Sequence, residues 1–322
     1  MKPLSRKLIH INIILLSFAL VLVWSCGGDS EEIISPPETK IGEFIDENTY
    51  KVFPTNTDNF GVAEFRLWVP ETSQALKAVV VLVHSYNSNG LGFANSTYWQ
   101  EFAKKENVAL LAANLTISNS SSVSYTDARR GSGKALLFSL EQLAEKIGQP
   151  YVNDLPILMR GYSAGGVFSN SFSDFQPERL LGFANIRGGG LHLTSEKNIR
   201  IPAMMFFGEF DAVERNNRIV ETIAIKRKLG ANWSLIIEPG LDHFGSLDKA
   251  EDMIQFFFSK VLEHRLEGSG GQLREIKEAD GWLGDNVRLE AYSFDNYPYD
   301  ITKASWLIDE EFSSKWLDFQ AQ

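Results

Sequence analysis

The chain is poor in several residue types on which many enzymes depend. Its 322 residues include one cysteine and five histidines, and 31 basic residues stand against 41 acidic ones. The lone Cys26 excludes a disulfide within the chain and leaves the globular part without a cysteine nucleophile. The net charge of −10 argues against nucleic acid as a partner, because its phosphates would be repelled. We expect no metal and no cofactor.

The N-terminal segment carries an apolar run over residues 8–24, preceded by three basic residues. The run is short for a membrane span, which needs about 20 apolar residues, and is typical of a signal peptide. It ends at Cys26 and resembles the lipobox of bacterial lipoproteins, in which the cysteine is acylated and becomes the mature N-terminus. We expect residues 1–25 to be a signal peptide and 26–47 a tether. The membrane is then a partner through Cys26, at the outer membrane's periplasmic face or the cell surface.

Apolar runs alternate with helix-spaced segments from about residue 48 onward. Near-continuous apolar strands indicate burial on both faces, which predicts an α/β fold with a mostly parallel, doubly wound sheet. Two alternating segments before it predict an opening antiparallel hairpin. The predicted strands are residues 50–53, 63–69, 78–83, 108–115, 155–160, 181–186, 201–207 and 233–237. The predicted helices are residues 98–105, 133–147, 249–266 and 310–319.

The most informative motif is Gly161-Tyr-Ser-Ala-Gly-Gly166, which directly follows a predicted buried strand. A strand that turns into a helix through one residue forces a tight turn, and small neighbours are needed to avoid collisions. The turn exposes a hydroxyl above the sheet edge, so the pattern predicts Ser163 as a nucleophile.

A serine nucleophile needs a base and an acid that orients the base. Among the histidines, only His243 lies in a loop that follows a strand downstream of Ser163. Between the two, Asp211 follows the predicted strand 201–207 and would lie at the same sheet end. Glu209 is the alternative acid, and His84 is expected to be structural.

The order Ser163, Asp211, His243 resembles that of the α/β-hydrolase family, over roughly residues 48–265. The resemblance implies an oxyanion hole formed by backbone N–H groups. One would be that of Ala164, and the other that of Tyr86, with Ser85 as the alternative.

Two further residues are candidates for binding the substrate. Ser85 lies in the loop after strand 78–83, and Arg187 lies at the end of strand 181–186, before a run of glycines. An equally open interpretation of Arg187 is a structural ion pair.

Residues 266–322 form a C-terminal extension that is rich in aromatic residues, unlike a disordered tail. We expect these aromatics to pack the extension onto the hydrolase domain. The alternative is a platform on which sugars stack.

These features predict a serine esterase that acts through an acyl-Ser163 intermediate. A looser resemblance, to secreted feruloyl esterases and polyhydroxybutyrate depolymerases, rests on Gly161–Gly166 and Gly188–Gly190. It implies an ester substrate such as an acylated polysaccharide or a polyester. A serine peptidase and a non-catalytic, carbohydrate-binding lipoprotein on the same scaffold are the alternatives.

Overall fold

The computed structural model describes four stretches of the chain, namely residues 40–118, 124–190, 195–267 and 272–321. The predicted signal peptide, Cys26 and most of the tether lie outside these residues. Within the described stretches, no helix has both the length and the apolar character needed to cross a membrane.

The core of the molecule is a sheet of nine strands in the order β1-β2-β3-β5-β4-β6-β7-β8-β9. β1, β2 and β3 pair antiparallel, β3 pairs antiparallel with β5, and every later pairing is parallel. The strands are β1 (Gly42–Asp46), β2 (Thr49–Val52), β3 (Phe60–Trp68), β4 (Val79–Val83), β5 (Ala109–Ile117), β6 (Ile157–Tyr162), β7 (Leu180–Ile186), β8 (Ala203–Gly208) and β9 (Trp233–Glu238).

Helices cover both faces of this sheet. They are α1 (Thr97–Glu106), α2 (Ser132–Lys146), α3 (Ala164–Phe175), α4 (Val213–Lys228), α5 (Asp248–Arg265) and α6 (Glu310–Gln320). Alternate residues of β4 belong to two different apolar cores: Val81 lies in the core that includes residues of α2, α3 and α4, whereas Leu82 lies in the core that includes residues of α1, α5 and α6. This two-sided burial explains why the parallel strands are apolar without alternation.

Short 3₁₀ turns and two small sheets complete the described structure. The turns are Leu91–Asn95, Ala128–Arg130, Pro150–Asp154, Pro177–Arg179, Glu278–Asp280, Phe294–Asn296 and Ile301–Lys303. The small sheets are formed by β10 (Leu266–Glu267) with β11 (Gln272–Leu273), and by β12 (Trp282–Asp285) with β13 (Glu290–Ser293) and β14 (Ser305–Leu307).

The C-terminal extension covers the outer edge of β9, the last strand of the sheet. The N–H groups of Leu235 and Ile237 point away from β8, and they donate to Ser305 Oγ (3.0 Å) and Gln320 Oε1 (3.3 Å). The carbonyl of Leu235 accepts from Trp316 Nε1 (3.0 Å). An edge strand with unpaired backbone groups can pair with strands of other chains. Here side chains of the extension form hydrogen bonds with those groups. Trp316 and other aromatics of the extension are buried in the core on that face of the sheet.

The structure departs from the sequence-based expectation at both ends. The sheet starts at Gly42, six residues before the predicted domain boundary, because Gly42–Asp46 pairs with β2. The opening hairpin is therefore a three-stranded antiparallel unit. The small sheet β12–β14 was not predicted, since its strands are only three or four residues long and carry little periodicity.

Candidate active site

Ser163 lies at the turn between β6 and α3, in a backbone conformation that residues other than glycine rarely adopt. Its φ is 53° and its ψ is −116°, and its N–H donates to the carbonyl of Ile186 (2.7 Å). A Cβ on Gly161 would lie 2.0 Å from the carbonyl oxygen of Gly165, and a Cβ on Gly165 would lie 2.4 Å from that of His84. A side chain at either position would force the turn to shift, so the tight geometry seen here depends on glycine at both.

His243 lies in the loop after β9 and faces the serine. The distance from Ser163 Oγ to His243 Nε2 is 3.0 Å, which is a hydrogen bond. The imidazole stacks on the ring of Tyr162, with the ring centres 5.6 Å apart. The Tyr162 hydroxyl donates to the carbonyl oxygen of His243 (2.6 Å). Burial raises the pKa of Tyr162, so this hydroxyl keeps the proton that it donates.

Asp211 lies in the loop after β8, and each of its carboxylate oxygens has a separate task. Oδ2 lies 2.9 Å from His243 Nδ1. Oδ1 accepts from the N–H of Ala212 (2.6 Å) and from the guanidinium of Arg215. Glu209, the alternative acid, instead accepts the N–H of Gly240 at 2.8 Å. The structure thus brings Asp211, and not Glu209, to His243.

The three side chains directly follow β6, β8 and β9, so they lie where the carboxyl ends of these parallel strands meet. The chain order is a serine on a strand-to-helix turn, then an acid, then a histidine. This order, on a sheet of this topology, identifies the fold. The fold is that of the α/β-hydrolases.

Comparisons with known proteins add little to this assignment. No protein-family model and no curated protein sequence matches the chain. Solved structures that resemble it include a thermostable esterase, with 18% identity over 62% of this chain and a TM-score of 0.47; the match spans 59% of that esterase. A phospholipase/carboxylesterase from Dyadobacter fermentans has 22% identity and a TM-score of 0.41; the match covers 62% of this chain and 95% of that one. The fluorophosphonate-binding serine hydrolase F of Staphylococcus aureus has 11% identity and a TM-score of 0.46; the match covers 69% of this chain and 98% of that one.

The loop after β4, which the hydrolase fold uses for its oxyanion hole, lies against the start of α3. The close approach of Gly165 to the carbonyl of His84 places the two segments side by side. The N–H of Ser85 donates to His84 Nδ1 (2.7 Å), whereas Tyr86 lies at the exposed tip of the loop. An N–H that is engaged in this way is a poor oxyanion donor. Tyr86 and Ala164, the first residue of α3, stay the predicted donors.

His84 has a structural role in this loop. Its ring stacks on Phe93 with centres 5.5 Å apart. Burial, together with the charge of Arg160, lowers the pKa of His84, so the ring is neutral and its Nδ1 can accept from Ser85. Ser85 Oγ also bonds within the loop, to His84 Nδ1 (2.9 Å) and Ser88 Oγ (3.1 Å). The predicted role of Ser85 in substrate binding stays a prediction.

The structure corrects the prediction that Arg187 binds the substrate. Its side chain is fully buried and forms a two-pronged ion pair with Glu238, with both N–O distances 2.6 Å. Its remaining N–H groups donate to three carbonyls of the loop that carries the base, those of His243 (3.1 Å), Gly245 (2.8 Å) and Ser246 (3.1 Å). Arg187 therefore holds the histidine loop in place and does not face a substrate.

Sequence reasoning missed Arg215, Tyr162 and Glu238. Tyr162 stands beside the predicted nucleophile, but its contact with His243 spans 81 residues of chain. Arg215 lies four residues after Asp211, at the start of α4, and its stem packs over Gly189. A basic residue four positions after the acid, across the start of a helix, was the signal that could have indicated an ion pair.

Proposed function

We propose that this protein is a serine hydrolase that cleaves carboxylic esters through an acyl-Ser163 intermediate. The observation that supports this most is the hydrogen-bonded chain from Ser163 Oγ through His243 to Asp211, with distances of 3.0 and 2.9 Å. The nucleophile, the base and the group that orients the base are all within reach of one another.

In the proposed acylation step, Ser163 Oγ attacks the ester carbonyl carbon while its proton moves to His243 Nε2. The new C–O bond places a negative charge on the carbonyl oxygen, which the N–H groups of Ala164 and Tyr86 would stabilise. Asp211 holds the ring and stabilises its charged form. As the intermediate collapses, the bond to the alcohol breaks and the alkoxide takes the proton from His243.

The proposed deacylation step repeats these roles, with water as the nucleophile and Ser163 as the leaving group. His243 takes a proton from water, the hydroxide attacks the acyl carbon, and the bond to Ser163 Oγ breaks as the serine recovers a proton from His243. A carboxylic acid and the free enzyme result, and no cofactor takes part.

Hydrolysis of a panel of aryl, acetyl and feruloyl esters tests this proposal. We expect Ser163→Ala to lose on the order of 10⁶ in kcat, as triad variants of serine hydrolases can. Ser314→Ala is the matched control, because it removes an exposed serine hydroxyl on α6 that bonds only to the carbonyl of Glu310 and has no part in the proposed site. Amides of the same acids distinguish an esterase from a peptidase: because amides are intrinsically less reactive than esters, Ser163-dependent cleavage of the amides would favour the peptidase, and no detectable cleavage would favour the esterase. Full activity in Ser163→Ala would refute the proposal.

We further propose that the protein acts at the bacterial cell envelope, anchored through acylated Cys26, on acylated polysaccharides or polyesters outside the cytoplasm. The N-terminal sequence alone supports the anchor, and the looser resemblance carried by Gly161–Gly166 and Gly188–Gly190 supports the substrate class. One acyl chain binds membranes only weakly, so stable anchoring needs several. Radiolabelled palmitate should enter the wild-type protein and not Cys26→Ala, and equal labelling of the two would contradict the anchor.

A further inference from the structure

Phe244, which directly follows the proposed base, is unusually exposed. Its side chain is 86% accessible to solvent. Its ring contacts the imidazole of His243 edge to face, with the ring centres 5.0 Å apart and the planes at 86°. Single exposed apolar residues are common on protein surfaces. An exposed aromatic ring in contact with a proposed catalytic histidine is a more specific arrangement.

The loop that carries Phe244 is held firmly from below. The N–H of Phe244 donates to Asp242 Oδ1 (2.9 Å), which closes a tight local turn. On either side, the carbonyls of His243 and Gly245 accept from the fully buried Arg187. The exposed ring is therefore presented by a backbone that is held in place, so binding a ligand does not require the loop to be ordered first.

The chemistry of the proposed reaction says which part of a substrate meets this ring. His243 Nε2 lies 3.0 Å from Ser163 Oγ and must hand its proton to the departing alkoxide. The alcohol part of the ester must then come within hydrogen-bond reach of Nε2. Phe244 contacts the same imidazole, so it stands beside the path of the alcohol, whereas the acyl group stays on Ser163.

We propose that Phe244 forms the binding surface for the alcohol part of the ester, and that it favours apolar, and above all aromatic, alcohols. This inference rests on the proposed ester hydrolysis. It gives the enzyme a preference on the leaving-group side that is independent of the acyl group. Contact with the ring would accelerate acylation and would have no effect on deacylation, because the alcohol has left by then.

The test compares two ester series in the wild-type protein and in Phe244→Ala. In the first series the acyl group is constant and the alcohol grows, from methyl acetate to benzyl acetate. In the second the alcohol is constant and the acyl group grows, from methyl acetate to methyl phenylacetate. We expect Phe244→Ala to lose about tenfold in kcat/KM for benzyl acetate, the effect of losing part of an aromatic contact. Methyl acetate and methyl phenylacetate should change by less than about twofold.

Two further variants serve as controls. Phe244→Leu keeps an apolar side chain and should retain part of the preference for benzyl acetate. Val287→Ala removes another highly exposed apolar side chain, 90% accessible and located between β12 and β13, and should have no effect on either series.

Three outcomes would overturn the inference while leaving the proposed function intact: an equal loss for all esters, a loss that follows the acyl group, or no loss at all. An equal loss would mean that Phe244 only supports His243. If the wild-type protein hydrolyses none of these esters, or does so without Ser163, the proposed function fails and the inference falls with it.

Discussion

The two halves of the candidate triad are held in place by different means. Ser163 is positioned by backbone geometry: a strained φ of 53°, a backbone hydrogen bond to Ile186, and close contacts that only glycine permits. His243 is positioned by side chains that come from elsewhere in the chain, among them the buried Arg187 and the stacked Tyr162. The nucleophile is thus held mainly by backbone contacts, and the base mainly by side chains.

This difference predicts distinct consequences for substitutions on the two sides. A local turn fails when its own residues change, whereas a loop fastened by side chains fails when distant residues change. The following variants either break the comparison or make it sharper.

The largest effect within the base half is expected from Asp211→Asn. An amide can present the wrong hydrogen-bonding group to His243 Nδ1 and cannot stabilise the charged ring, so kcat should fall by up to about 10⁴. Glu209→Gln is the control, because its carboxylate accepts from Gly240 and not from His243. If Glu209→Gln were the more damaging in steady-state assays, the acid would have been assigned to the wrong residue.

Breaking the buried ion pair should come next. Arg187→Met leaves Glu238 buried without a partner and frees three carbonyls of the histidine loop, which should lower the free energy of unfolding by about 3–5 kcal/mol. Denaturant titration measures this loss. The double variant Arg187→Met, Glu238→Leu should recover much of the stability but not the activity, since the loop carbonyls remain unfastened. Full recovery of activity in the double variant would show that the hydrogen bonds from Arg187 to the histidine loop are dispensable.

A smaller effect is expected on the nucleophile side from Gly165→Ala. The added methyl group would overlap the carbonyl of His84 at 2.4 Å, so the start of α3 must shift. We expect about 1–3 kcal/mol of lost stability, together with a loss of kcat. Gly92→Ala provides the control, because a Cβ at that position would meet nothing within 4 Å. Equal thermal stability of the two variants would contradict the tight-turn account.

The smallest effect is expected from Arg215→Gln. Arg215 pairs with the carboxylate oxygen of Asp211 that does not face His243. A partly exposed ion pair contributes up to about 1 kcal/mol, so we expect kcat to fall by less than about tenfold as the carboxylate loses one of the groups that orient it. Arg215→Lys should restore most of the wild-type kcat. An unchanged kcat in Arg215→Gln would show that this ion pair does not help to position Asp211.

The same comparison explains how far the sequence could predict this molecule. The parallel strands and the turn at Ser163 are visible in the sequence because apolar runs and glycine spacing are local properties. The role of Arg187 was not visible, since its partner Glu238 lies 51 residues away and its carbonyl contacts lie in a loop. A charged residue at a strand end looks the same in the sequence whether it faces a substrate or the interior. The capping of β9 by Ser305 and Gln320 was hidden for the same reason.

The central claim is that Ser163 is a nucleophile activated by His243. It is tested most directly by treating the intact protein with a fluorophosphonate and measuring the mass of each peptide. We expect one covalent adduct, on the peptide that contains Ser163, with labelling nearly abolished in both Ser163→Ala and His243→Ala and unchanged in Ser314→Ala. An adduct on another serine, or labelling of Ser163 that proceeds at the wild-type rate in His243→Ala, would contradict the account.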